Sequence, residues 1–449
     1  MNSYTTNNYR HWFRMAVFSI IILVFLSVSF NAVTADSALD TKLLKEQRDD
    51  GLTIVIKEPD QDKQEVHYLT LIIKTGYAHD PVGKFGITNL TNEIIYQLLR
   101  HTYVLGLDFQ TCADYSVFHF VTTREYFNDF CAQVDWIIRS DALLYYDLCN
   151  TLTRYHLNQP KPSELQAIAQ LYSMVYGPEH PYNSIFKPDY DKLDITEVNK
   201  WFRQIYKPNN FIIASSLKLP DDFLRRPAGR DLKEPVILNE IPDSTVDNTP
   251  ELKWTPVHDN IATVCLGFET PKFDDEGIFA TFLLEEYLNQ RLWKVIREEN
   301  GLSYDPQVFS LLISKSSVPT LQAVFHTLAP DTAKVISLII AEFKQVAAEG
   351  IPETEIAKII GRERKRQEMN DKDLQSAVGA AALYGLLERE WMVNREEYLT
   401  GLNEEAKIVS QIMTEGLSGL KISVAGPDET GGYLTDVTNE LASFSKLSF

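Results

Sequence analysis

Two residues in the second half of the chain, Arg297 and Tyr304, stand seven positions apart in the run Arg297-Glu-Glu-Asn-Gly-Leu-Ser-Tyr304. A guanidinium and a phenol are strong hydrogen-bond donors that, held in place, stabilise negative charge where a reaction develops it. Spacing alone weighs this reading equally with a plain one, a solvated arginine beside a tyrosine that packs. A second polar set, Asn89, Asn92 and Glu93, follows in the first half from the helix opening Gly86-Ile-Thr-Asn-Leu-Thr-Asn-Glu93. One helical turn puts Asn89 and Glu93 on a common face. An amide oxygen is nevertheless a poor zinc ligand beside imidazole or thiolate, and Asn92 has no titratable acceptor with which to act as a general base. None of the nine histidines lies three or four residues from another, so no compact helical metal pair can be built from them. His119 and His156 read as surface or satisfied core residues. The chain contains no Gly-x-Ser-x-Gly elbow, Walker loop or Gly-x-Gly-x-x-Gly turn, which leaves little for a self-sufficient hydrolase.

The elements that carry these residues can be read from periodicity. Leu288, Leu292, Val295 and Ile296 form the apolar face of one helix, and Arg297 falls opposite with Glu286, Gln290 and Trp293. A tryptophan on a polar side marks a cleft or an interface. In the first half, runs at 52–57 and 66–75 are rich in β-branched residues and read as strands, with Gly76 ending the second. Gly83 and Gly86 then precede Ile87, Leu90, Ile94 and Leu98 at helical spacing. Strands around 109–123, helices at 125–150 and 162–176, and a capping box at Asp194-Ile-Thr-Glu197 lead to a closing strand, Phe211-Ile-Ile-Ala-Ser. From 221 to 251 the chain turns polar and carries Pro227, Pro235, Pro242 and Pro250, the composition of a linker. The plan then repeats: a strand from Ile261, a turn through Gly277, a helix from Ile278, and a last strand from Leu420. The pattern predicts an α+β protein of two homologous α/β sandwich-like domains, each a mainly antiparallel sheet with helices packed on one face. Two unrelated α/β domains are the alternative. The predicted divisions are 1–35, 36–220, a linker at 221–251, and 252–449.

Taken in order, several segments resemble the pitrilysin/insulinase metallopeptidases, the inverzincins, over essentially the whole mature length. They are Lys74-Thr-Gly-Tyr-Ala-His-Asp-Pro-Val-Gly-Lys-Phe-Gly86, His180-Pro-Tyr, Tyr206-Lys-Pro-Asn-Asn, and Arg297 through Tyr304. The family's first helix carries His-x-x-Glu-His, two zinc-binding histidines and a glutamate that activates water; here those positions read Asn89, Asn92 and Glu93. The resemblance places a third ligand, a glutamate, near 153–157, yet the only carboxylates between Ser140 and Lys161 are Asp141 and Asp147. It also assigns to Arg297 and Tyr304 the orientation of substrate and the stabilisation of an oxyanion. What it implies is a catalytically degenerate subunit of the two-chain bacterial type, with no cofactor of its own and with zinc in a homologous partner. Its substrate would be an unfolded peptide added to a sheet edge. The family's scaffold members supply a second implication, a non-catalytic structural or peptide-binding protein.

Composition bounds the rest. A length of 449 residues suits two large domains. A net charge of -19 argues against a nucleic-acid partner, whose phosphates are bound by neutralising charge. Arg10, His11 and Arg14, the apolar run Met15 to Phe30, and Asn31-Ala-Val-Thr-Ala35 ahead of Asp36 read as a secretory signal peptide. Cleavage would leave a periplasmic or secreted chain without membrane contact, and an uncleaved anchor is the alternative. Cys112, Cys131, Cys149 and Cys265 form no Cys-x-x-Cys pair and allow either one disulfide or separate buried thiols.

Overall fold

The computed structural model describes residues 43–59, 64–100, 103–144, 147–152, 162–225, 231–244, 248–273, 275–303, 305–311 and 319–441. The leader predicted at 1–35 lies outside the described residues. The first half comprises β1 (Leu43–Gln47), β2 (Thr53–Lys57), β3 (Val66–Ile73), α1 (Ile87–Leu99), β4 (Gly106–Thr111), β5 (Ser116–Thr123), α2 (Phe127–Arg139), α3 (Pro162–Tyr176), α4 (Ile195–Ile205) and β6 (Phe211–Ser215). The second comprises β7 (Glu251–Pro256), β8 (Ala262–Glu269), α5 (Ile278–Leu292), β9 (Gln307–Leu311), β10 (Thr320–Thr327), α6 (Thr332–Glu349), α7 (Glu353–Lys372), α8 (Leu374–Leu387), α9 (Arg395–Glu405), α10 (Val409–Ser418), β11 (Lys421–Gly426) and α11 (Thr435–Leu441). Among the described residues no helix is long and apolar enough to cross a membrane.

The duplication is explicit in the strand order. One sheet runs β1-β2-β6-β3-β5-β4 and the other β7-β11-β8-β10-β9, so the second repeats the first without its edge strand. Each sheet is antiparallel except for a single parallel pair, β2 with β6 and β7 with β11. In the first unit Leu69, Leu71 and Ile73 of β3 alternate toward a core shared with Phe118, Phe120 and Ile213. That core meets Ile87, Leu90 and Ile94 of α1, Phe130 and Val134 of α2, and Val198 and Phe202 of α4. Each such fully buried side chain contributes roughly 1.5–3 kcal/mol through apolar area removed from water.

Helices cover both faces of each sheet, a correction to the expectation of one. A Cβ on Gly385 of α8 would stand 2.6 Å from Ile212 and 3.2 Å from Val55. Those two residues alternate with the core-facing Ile213 and Ile54, so α8 lies on the reverse face. In the second unit a Cβ on Gly267 of β8 would stand 3.3 Å from Leu171 of α3, whereas one on Gly416 of α10 would stand 2.4 Å from Phe268. The physical reason is legible in β6 and β8, whose residues are buried almost without alternation. A strand apolar on both sides needs cover on both.

The covering helices are exchanged between the halves. The first compact unit takes Lys365–Arg395, with α8, from the second half, and the second takes Pro160–Phe186, with α3, from the first. The units therefore differ from the contiguous stretches 36–220 and 252–449. Phe223 and Leu224, at the start of the predicted linker, are buried in the first core, and β7 begins at Glu251. Buried lysines hold other parts of that linker: Lys207 Nζ donates to Glu234 at 2.9 Å, and Lys421 Nζ donates to the Thr249 carbonyl at 2.6 Å. All four cysteines are free thiols, Cys149 half-buried and the other three buried.

Candidate functional site

The first group of sequence-predicted residues sits on α1. Gly86 opens this helix in the left-handed region at φ 90°, a conformation that costs glycine least. A Cβ there would stand 2.7 Å from the Tyr190 ring. Asp80 caps the helix from six residues upstream: its carboxylate accepts from the Gly86 N–H at 2.6 Å, the Thr88 N–H at 3.1 Å and the Thr88 hydroxyl at 2.5 Å. Burial pushes the Asp80 carboxyl up to about 7, against the lowering effect of these donors.

Asn92 is fully buried and fully used. Its Nδ2 donates to Thr111 Oγ1 and Ser116 Oγ, each at 2.8 Å, and its Oδ1 accepts from the Tyr206 hydroxyl at 2.8 Å. Ser116 Oγ passes its own proton to the Thr75 carbonyl at 2.7 Å. This knot ties α1 to the β4–β5 hairpin and to the end of α4. Burial holds the Tyr206 phenol well above its ordinary value, so it remains a donor. Asn89 Nδ2 donates to the Tyr190 hydroxyl at 3.1 Å, and Glu93 Oε1 accepts from Gln97 at 2.5 Å.

These residues do not fit a zinc ion. Two of the three side chains are amides, and the amide at the general-base position is committed to three hydrogen bonds inside the protein. The region 153–157, where the third ligand was expected, and His156 lie outside the described residues. Among the described residues no group of three or more His, Cys, Asp or Glu side chains could hold a metal ion. His119 is half-buried with Nδ1 3.1 Å from Thr70 Oγ1, and burial lowers it to about 4.

The second group sits at the far end of α5. Leu288, Leu292, Val295 and Ile296 are buried, as the apolar stripe predicted. Beyond Leu292 the helix widens into a π turn, Trp293–Glu299, of the kind often found where a helix serves a site. Here Arg297 lies over the Trp293 ring, its guanidinium carbon 4.1 Å from the ring centroid, with the indole 38% exposed. Such stacking attracts a cation to the ring face and holds its long side chain in one orientation. Gly301 at φ 64° ends the turn, Asn300 Nδ2 donates to the Val295 carbonyl at 2.8 Å, and Leu302 N–H donates to the Ile296 carbonyl at 2.9 Å. Tyr304 lies outside the described residues.

Sequence reasoning missed Tyr190, Tyr206, Thr111 and Ser116, which convert the degenerate helix into a packed joint. Their hydroxyls come from four separate segments, and no local pattern joins them. It also missed the remote cap of α1, although an aspartate shortly before a glycine-led helix, as in Tyr77-Ala-His-Asp80, is a usable signal.

Comparison with known proteins bears on the fold. Residues 192–362 match the family model described as Peptidase M16 inactive domain. No curated protein matches the chain by sequence. Among solved structures, a peptidase M16 inactive domain from Pseudomonas fluorescens is similar with a TM-score of 0.72 at 15% identity, covering 86% of this chain and 98% of that one. A protease from Helicobacter pylori has the same TM-score at 14% identity, covering 86% of this chain and 100% of that one. The periplasmic protease PqqL of Escherichia coli is similar with a TM-score of 0.67 at 11% identity, over 88% of this chain and 47% of that one.

Proposed function

We propose that this chain, whose residues 192–362 match the M16 inactive-domain model and whose fold is similar to M16 structures, is a pitrilysin/insulinase-type protein and the non-zinc subunit of a two-chain peptidase. In this reading a homologous, zinc-bearing partner supplies the metal and the general base. This chain supplies Arg297 and Tyr304 to grip an unfolded peptide and to stabilise the oxyanion that forms at the scissile carbonyl. The observation that carries the reading is the contrast between the two helices: Asn92 is consumed by internal hydrogen bonds, while Arg297 is held on a partly exposed indole at the end of a π turn. The leader-like first residues and the periplasmic location named for PqqL support a periplasmic setting.

Mixing the chain with a zinc-bearing homologue should create peptidase activity that neither protein has alone. Arg297→Ala or Tyr304→Phe should then lower kcat roughly 100-fold or more, the loss typical of one oxyanion donor. Unchanged turnover in both variants removes these residues from the mechanism. The family model's description as inactive favours a second reading, a non-catalytic structural or peptide-binding member. Co-purification with a large assembly lacking any zinc-bearing homologue would select that one.

A further inference from the structure

The segment that follows Arg297 is tied to the second sheet at two neighbouring residues of β10. Thr327 Oγ1 donates to the Leu302 carbonyl at 2.7 Å, and His326 Nδ1 stands 3.2 Å from Asp305 Oδ1. The other ring nitrogen, Nε2, faces Glu164 Oε2 of α3 at 3.9 Å. His326 is thus an imidazole between two carboxylates, one on the segment that bears the site and one on the exchanged helix. Its cross-strand neighbour on β8 is Thr263, and both the Thr263 hydroxyl and the buried Ser303 hydroxyl lack a hydrogen-bond partner among the described residues. The imidazole contact is one polar tie on this stretch.

We propose that His326 is a positioning residue: through Asp305 it fixes the segment downstream of Arg297 against β10. This deepens the two-chain reading and rests on it for any consequence in turnover. The charged and titratable groups around the imidazole are Asp305 from the segment, Glu164 from α3 and, beside Glu164, the buried Cys265 thiol of β8. Asp259 joins α3 one residue away by accepting from Ser163 Oγ. Burial holds the Cys265 thiol well above its ordinary value, so it stays neutral. Through Nδ1 the imidazole can donate to the Asp305 carboxylate, a hydrogen bond to a charged acceptor.

Hydrogen exchange of the peptide spanning 297–311, followed by mass spectrometry in the full chain, tests this without any assay of peptidase activity. His326→Ala should speed exchange there roughly tenfold, as for one lost hydrogen bond to a charged group, with peptides of the first sheet unchanged. His326→Asn places an amide nitrogen where Nδ1 stood, so it should keep most of the protection. Should His326→Ala fail to fold, Asp305→Asn reads the same tie from its other end. Exchange that is unchanged in both His326→Ala and Asp305→Asn overturns the proposal. If exchange responds and Arg297→Ala leaves turnover of the reconstituted pair unaffected, the two-chain reading fails and the positioning of the segment stands. If exchange responds and Arg297→Ala is severe while His326→Ala leaves kcat untouched, the role in catalysis is overturned.

Discussion

Helices α1 and α5 follow equivalent strands, begin alike and diverge along their length. Each opens at a left-handed glycine, Gly86 at φ 90° and Gly277 at φ 110°, and each has its first N–H groups satisfied by a carboxylate from outside the helix. For α1 the acceptor is the buried Asp80, close in sequence. For α5 it is the half-buried Glu405 of α9, which accepts from Gly277, Phe279 and Ala280 at 3.1, 2.8 and 3.1 Å. Downstream, α1 turns its polar side chains inward to the Asn92 knot, while α5 widens into the π turn and offers Arg297. The lesson is that helix entry belongs to the scaffold, because orphan N–H groups must be satisfied whatever the helix later does. The polar residues one or two turns on are free to be structural in one copy and outward-facing in the other.

If the Asn92 knot is structural, breaking it should hurt most. Asn92→Ala strands the buried Tyr206 hydroxyl, takes a donor from Thr111 and Ser116 and leaves a void, for an expected loss of about 3–5 kcal/mol in urea unfolding. Tyr206→Phe removes one donor and should cost less. A loss under about 1 kcal/mol for Asn92→Ala would mean that the amide is incidental, and the contrast between the helices would go with it. The glycines come next. Gly86→Ala forces a Cβ to 2.7 Å from the Tyr190 ring and Gly277→Ala to 2.8 Å from Pro271, each at positive φ, so both should cost about 2–3 kcal/mol. Gly83→Ala, at φ 78° with nothing within 4 Å, isolates the backbone term and should cost about 1 kcal/mol. Equal losses at Gly83 and Gly86 would show that the close approach of Tyr190 contributes nothing.

Much of this architecture was legible because it is local. The β-branched runs gave β3 and β6 to within two residues, the 3.6-residue period gave α1 and α3, and Asp194 caps α4 as its pattern predicted, accepting from the Glu197 N–H at 2.9 Å. The partner half of that box departs from the pattern, since Glu197 pairs with Lys84. Exchange of α3 and α8 was illegible because an apolar helix face does not state which sheet it will cover. Leu98, at helical spacing from Ile94, is half-buried, whereas Ile95 and Leu99 are buried. In the candidate sites, the replaced residue types at 89, 92 and 93 were plain, but the hydrogen-bond partners of Asn89 and Asn92 come from 19 to 114 positions away. Such partners are set by tertiary structure alone.

The buried cap of α1 gives the comparison its pH dependence. Asp80 is pushed from an ordinary 3.8 up to about 7 by burial. For an acid whose folded pKa is raised, the contribution to stability is complete below about pH 4 and is lost as pH rises through about 7, because ionisation then costs more in the folded chain than in the unfolded one. His79, lowered to about 4 mainly by burial, and His119, lowered likewise, act in the opposite sense. Their contribution is present above about 6.5 and is lost as pH falls through about 4, since each must take up a proton in surroundings that disfavour charge. Unfolding followed from pH 4 to 8 should therefore show stability limited at the acid end by the histidines and eroded toward pH 8 by Asp80. Asp80→Asn keeps an oxygen acceptor for the helix N–H groups without the charge, and should remove the alkaline erosion, on the order of 2 kcal/mol between pH 5 and 8, while leaving the acid limb in place. If the variant's profile parallels the wild type across that window, Asp80 stays ionised under its three donors, and the caps of α1 and α5 are electrostatically alike despite their different burial.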